Sequence, residues 1–273
     1  MKLADATLRA LREHWNSSRS YRSVASNCRH LERHLGEISL SKITEKTLQE
    51  LVNRFRKEGN GATTINRKLS TLQTILRLAQ EDWGEVITMP RFNKYRTAEK
   101  PTRFHVLSED EENQIVSELR SLGEDEMADL VVILVDTGMR LSEALRLVRK
   151  DVDFDHNLIM IWESKNDRPR SVPMTKRVVQ ILKHRNKFTL SDNRVKYLFR
   201  KTRPAIEVTI HTLRHTCASR LVQKGVSLYV VQRWLGHSTI HVTERYAHLN
   251  PAQLQDAVSL LERAESIPPS YSV

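Results

Sequence analysis

A chain of 273 residues, 39% hydrophobic and 28% charged with only 8 Gly and 8 Pro, suits a globular protein of one large or two ordinary domains and excludes disordered and fibrous classes. Its longest apolar run, LVVILV at residues 130–135, is far short of the roughly 18 residues that span a bilayer, so no membrane partner is expected. The formal net charge of +11 points instead to a polyanion, DNA or RNA. Residues 1–104 hold 20 Lys+Arg against 11 Asp+Glu, and residues 130–273 hold 23 against 13. Between these basic regions, nine acids crowd Glu109 to Asp129 with Arg120 as the one base. The N-terminus lacks the apolar core of a secretory signal, so the protein is expected to stay in the cytoplasm. Cys28 and Cys217 are far apart and form no CxxC pair, so both are read as reduced and structural.

In chain order, the first ninety residues carry helical spacing. TLQELVNRF is capped by Thr44, and TINRKLSTLQTILRLAQ by Thr63 or Thr64, with a buried stripe through Ile65, Leu69, Leu72, Ile75 and Leu76 and a break at GNG, residues 59–61. Residues 1–88 therefore read as a small helical domain. Residues 89–107 have two prolines, several bases and no periodicity, as a basic linker would. At Ser108 a capping box, SEDE, opens a second domain over 108–273. There an apolar helix leads to TGMR, a helix LSEALRLVRKDV, and a hairpin over 158–174. Helices follow near 175–186, 192–202 and 211–224. Ser227 caps the next helix, which Gly236 ends. The fold class is mainly α with a small β-sheet.

Four stretches carry chemistry. In TGMRLSEAL, Arg140 follows a Thr-Gly break at a helix start, where free N–H groups favour an anion, and Glu143 is spaced to orient it or to form an ordinary ion pair. In HTLRH, His211 and Arg214 share a helix face; without the Glu of HExxH, a zinc reading fails, and no metal or other cofactor is expected. His237 follows the glycine that stops a helix, and Tyr246 lies among His237, His241 and His248. Lys165 sits in the hairpin turn ESKNDRPR, beside Arg168 and Arg170. Two arginines, a lysine, two histidines and a tyrosine suit attack of a phenolate on a phosphodiester. A histidine takes the phenol's proton, arginines hold the charge on the non-bridging oxygens, and a lysine protonates the leaving oxygen.

These stretches resemble the tyrosine recombinases, within them the phage integrases: TGMRLSEAL the first-arginine box, HTLRHTCASRL the His-x-x-Arg box, LGHSTI the second-histidine box, TERYAHL the nucleophile box. The resemblance implies that Arg140 and Arg214 clamp the scissile phosphate, that His211 and His237 hydrogen-bond it and manage protons, that Lys165 is the general acid, and that Tyr246 forms a 3′-phosphotyrosyl bond. It further implies a SAM-like core-binding domain at the N-terminus, where Arg67 and Lys68 of ATTINRKLSTLQTIL are candidate DNA contacts. The partners implied are double-stranded DNA core attachment sites, a homotetramer assembled there through a tail helix at 251–264, and accessory DNA-bending proteins. A type IB topoisomerase or resolvase, and a DNA-binding regulator without catalysis, are the alternatives.

Overall fold

The computed structural model describes residues 1–18, 20–98, 105–162 and 169–249. Lys165, Arg168 and the tail helix expected at 251–264 lie outside the described residues. The chain separates into two compact units, Met1–Thr102 and Arg103–Val273.

The first unit holds α1 (Leu3–Glu13), α2 (Tyr21–Leu35), α3 (Glu45–Lys57) and α4 (Ala62–Glu81). Each is amphipathic and lends one stripe to a common core that includes Leu31, Leu51, Phe55, Leu69 and Leu72. Thr44 caps α3 as expected, its side chain accepting from the Thr47 amide. For α4 the cap is Gly61 rather than Thr63 or Thr64, because the first turn already closes from the Ile65 amide onto the Gly61 carbonyl. The stretch read as the start of a linker folds back on this unit. Met89 packs against the core and Phe92 and Tyr95 enter it, while the Asn66 side chain makes two hydrogen bonds to the Thr97 main chain, at 2.8 and 3.0 Å.

The second unit begins at α5 (Glu109–Ser121), where Ser108 and Glu111 form the expected capping box. Next comes α6 (Asp125–Thr137), apolar over most of its surface with Asp125, Asp129 and Asp136 on one edge, and packed between α5 and later helices. The helix expected over LSEALRLVRKDV is only α7 (Leu141–Ala144). Beyond it Val148 bridges to Lys187 and Arg149–Asp151 forms a 3-10 turn before β1 (Val152–Asp153), which pairs with β2 (Leu158–Ile161); β2 in turn pairs antiparallel with β3 (Arg170–Pro173). The hairpin is thus the larger part of a three-stranded sheet in the order β1-β2-β3, burying Ile159, Ile161 and Val172 on one face. Helices α8 (Lys176–His184), α9 (Asp192–Thr202), α10 (Ile210–Gln223), α11 (Leu228–Leu235) and α12 (His241–Glu244) complete it. Glu112, buried on α5, accepts from Arg177 at 2.6 Å and Arg220 at 2.5 Å, tying α8 and α10 to the front of the unit. No helix among the described residues is long and apolar enough to cross a membrane.

Candidate active site

The site is built on the C-terminal end of α11. A helix leaves its last carbonyls without intrahelical partners and carries the negative end of its dipole there, so cations are favoured. Three consecutive carbonyls each accept an arginine. The Trp234 oxygen takes Arg170 Nε at 3.2 Å, the Leu235 oxygen takes Arg214 Nη2 at 2.6 Å, and the Gly236 oxygen takes Arg140 Nη2 at 3.2 Å. Gly236 makes this possible twice over. Its φ of +67° suits glycine, and a Cβ on it would lie 2.9 Å from Arg170 Cδ and 3.0 Å from its Nε.

Arg214 is 4% exposed, and among the described residues it makes no salt bridge. Its second hydrogen bond, at 2.5 Å, goes to the carbonyl of Gly138, the left-handed residue that ends α6. Burial and the neighbouring charges of Arg140 and Arg170 lower its pKa to about 10, so it stays charged at neutral pH without a carboxylate of its own. Arg140 and Arg170 instead share one, Glu143, which is itself buried. Burial pushes the Glu143 carboxyl up, but its bonds to Arg170 and Arg140 outweigh this and hold it below the usual range. The alternative of an ordinary surface ion pair is thereby corrected: the Glu143 side chain is 2% exposed and the Arg140 side chain 23%.

The remaining groups come from α10 and the segment after α11. His211 and His215 lie one turn apart on α10 with ring centroids 4.7 Å apart, edge to face. The His237 ring, just past Gly236, bonds through Nδ1 to the buried Thr243 hydroxyl at 2.8 Å. Tyr246 is 2% exposed and packs against Ala218, Val222, Val231 and Leu235. Its hydroxyl lies 2.5 Å from Nδ1 of His215. That neighbour is a departure from the sequence reading, which gave proton duties to His211 and His237 and no role to His215. The signal was present, since His215 follows His211 by one helical turn. Arg170 carried a weaker signal, appearing only as a neighbour of Lys165.

Burial and surrounding cations set the protonation states. Burial raises Tyr246 to about 12 although Arg245 and Arg214 favour the phenolate. His215 falls to about 4, by burial and then by His211, Arg245 and Arg214, and His237 to about 3, by burial and then by Arg214, Arg140, Arg245 and His215. His211 is lowered as well, by the protein packed around it and then by Arg214, Arg245 and Arg140. The imidazoles are therefore neutral at pH 7, and the site's positive charge rests on its arginines. A stability signature follows. The unfolded chain takes up protons on these histidines below its ordinary pKa near 6.5, while the folded chain does not until about pH 4 and 3. Stability is therefore complete above about pH 6.5 and falls as pH drops toward 4, by at most about 1.4 kcal/mol per pH unit for each histidine. Calorimetry of the full chain between pH 8 and 4.5 should show a level melting temperature down to about 6.5, then a decline that His237→Gln makes shallower.

In the N-terminal unit the two candidate DNA contacts part company. Arg67 is exposed on α4. Lys68 is 3% exposed, donates to the Asn60 side chain at 2.9 Å and lies over the Phe55 ring at 4.2 Å. Lys68 is thus a core-facing residue and offers no cation to a duplex, because position 68 falls on the same stripe as Ile65, Leu69 and Leu72.

The comparisons agree with this architecture. Residues 105–205 and 184–253 match the Phage integrase family, and residues 6–97 match the Phage integrase SAM-like domain. The chain belongs to the phage integrase family. It is 30% identical over 227 residues to the integrase of Escherichia phage P2, an alignment covering 80% of this chain and 65% of that protein. Among solved structures it resembles the Tn1549 transposon integrase in complex with transposon right end DNA, at TM-score 0.79 and 21% identity over 96% of this chain and 100% of that one. It also resembles lambda integrase in a tetramer bound to a Holliday junction, at TM-score 0.70 and 20% identity, covering 88% of this chain and 78% of that one. Both structural likenesses concern the fold.

Proposed function

We propose that this protein is a site-specific DNA recombinase that cuts and rejoins strands through a covalent bond between Tyr246 and a 3′-phosphate, in the integration or excision of a phage or other mobile element. The observation that carries this reading is the set of three arginines on the end of α11, of which only Arg140 and Arg170 share the carboxylate of Glu143, while Arg214 adjoins His215, the imidazole bonded to the tyrosine hydroxyl. Such a surplus of cationic donors suits a phosphate and the added charge of its pentacoordinate state. With its proton on Nε2, His215 accepts from the phenol and can take its proton as the oxygen attacks phosphorus. Arg140 and Arg214 hold the non-bridging oxygens, while His211 and His237, as neutral rings, donate to them. The 5′-oxygen leaves with a proton from Lys165. Attack of another strand's 5′-hydroxyl on the phosphotyrosine reverses these steps, so no nucleotide is hydrolysed.

For the attack Tyr246 has to leave its pocket, since a 2% exposed ring cannot meet a duplex. Assembly on two core sites of double-stranded DNA, as a homotetramer with accessory DNA-bending proteins, would supply the occasion for that movement in the cytoplasm of the host. Support for the tetramer alone comes from the lambda integrase tetramer on a Holliday junction among the structural neighbours. Arg67 would add a phosphate contact from the SAM-like domain. The test uses the full chain and nicked duplexes carrying candidate core sites, in chelator and without ATP. An SDS-stable protein–DNA adduct whose digestion leaves the nucleotide on the peptide containing Tyr246 is expected; specific binding with no adduct would favour a DNA-binding regulator.

A further inference from the structure

Arg170 lies outside the boxes that suggested the phosphate clamp, yet its placement is as tightly determined as theirs. Both Glu143 oxygens receive two donors. Oε1 accepts Arg140 Nη1 at 2.7 Å and Arg170 Nη1 at 3.1 Å; Oε2 accepts the Arg140 amide at 2.8 Å and Arg170 Nη2 at 2.7 Å. Arg170 thus meets the carboxylate with two parallel bonds, the strongest geometry for this pair. Arg140 gives it one guanidinium nitrogen and keeps part of its side chain toward solvent. A buried Glu143 paired with Arg140 alone would be a neutral unit, with no net charge to offer a phosphate. Adding Arg170 makes the cluster net positive by one charge, and its Nε bond to the Trp234 carbonyl at 3.2 Å, beside a Gly236 that leaves it room, keeps that third member in place.

Resting on the recombinase reading above, we propose that Arg170 is a positioning residue that sets the charge of the clamp: it takes up Glu143 so that Arg140 meets the scissile phosphate as an uncompensated cation. A purely structural Arg170 would be sensitive to any loss of the pair. A charge-setting Arg170 makes a different demand, because removing its partner's charge should restore what its own loss destroys.

The experiment compares full-length wild type, Arg170→Gln, Glu143→Gln and the double variant Arg170→Gln/Glu143→Gln, with folding checked by circular dichroism. Single-turnover adduct formation is measured on saturating nicked DNA, with DNA affinity measured separately. Arg170→Gln should lower the adduct rate by about ten- to a hundredfold while DNA affinity changes by less than about threefold. The double variant should recover about tenfold or more of the loss. A double variant no faster than Arg170→Gln, or an Arg170→Gln that matches wild type, overturns the proposal. Binding of inorganic phosphate, read by thermal shift, tests it separately from the recombinase reading. Should wild type form no adduct, that reading fails, and the proposal still requires phosphate to bind more weakly to Arg170→Gln and more tightly to Glu143→Gln. The Glu143→Gln arm also decides the matter if Arg170→Gln does not fold; unchanged or weaker phosphate binding there overturns the proposal.

Discussion

Tyr246→Phe should bind core DNA as wild type does and leave it uncut, with adduct formation below detection. The exchange removes one oxygen from a ring otherwise enclosed by Ala218, Val222, Val231 and Leu235, so the packing that holds the segment after α12 is retained. What is lost is the bond from the hydroxyl to Nδ1 of His215, a net contribution of about 1 kcal/mol to stability. Thermal unfolding should therefore shift by only a few degrees, which separates loss of chemistry from loss of fold. The same comparison reads the storage of the tyrosine. A phenol held near pKa 12 and 2% exposed is protected from solvent and inert at neutral pH. Approach to a phosphate flanked by arginines, with His215 taking the proton, would reverse both conditions. His215→Ala should accordingly leave Tyr246 in place less firmly and yet slow adduct formation, because the base is gone.

The second large effect belongs to Arg214. Arg214→Lys should lower the adduct rate by about a hundred- to a thousandfold, corresponding to about 3–4 kcal/mol of barrier, with DNA affinity nearly intact. A lysine ammonium cannot bridge the Gly138 and Leu235 carbonyls, which accept two different guanidinium nitrogens at 2.5 and 2.6 Å. One of those buried oxygens would lose its donor, and the cation would be drawn toward the remaining one instead of the phosphate. A modest loss of stability accompanies this, about 1–3 kcal/mol for the unsatisfied carbonyl. Rates within a few-fold of wild type would show that Arg214 is a structural cross-link between α6 and α11 and no part of a clamp.

Much of the frame was legible in the sequence because it rests on local rules. Ser108 with Glu111, Thr44 and Ser227 each cap a helix through their own side chains, and Gly236 ends α11 in the left-handed conformation. The boxes around Arg140, His211, Arg214, His237 and Tyr246 were legible as well, and the structure gathers these residues into one region of the second unit. What escaped depends on long-range partners. α7 is only one turn long, and the residues after it turn toward a bridge from Val148 to Lys187 and a two-residue strand at Val152–Asp153, too short to show a period. Lys68 looked like its neighbour Arg67 until the stripe it shares with Ile65 and Leu72 was extended to it. Nothing local announces that Trp234, Leu235 and Gly236 offer their carbonyls to arginines 64, 21 and 96 residues away.

Those separations also set an order in time. During synthesis Arg140, Arg170 and Arg214 all emerge before the backbone that seats them, and domains form from the N-terminus as the chain is made. Until residues 234–236 arrive, the guanidinium groups have no fixed direction, and the tyrosine that would use them is ten residues further still. An interrupted chain can therefore carry the positive charge that draws a protein to DNA while lacking any means of breaking it. The capacity to cut is complete only once residue 246 has been added.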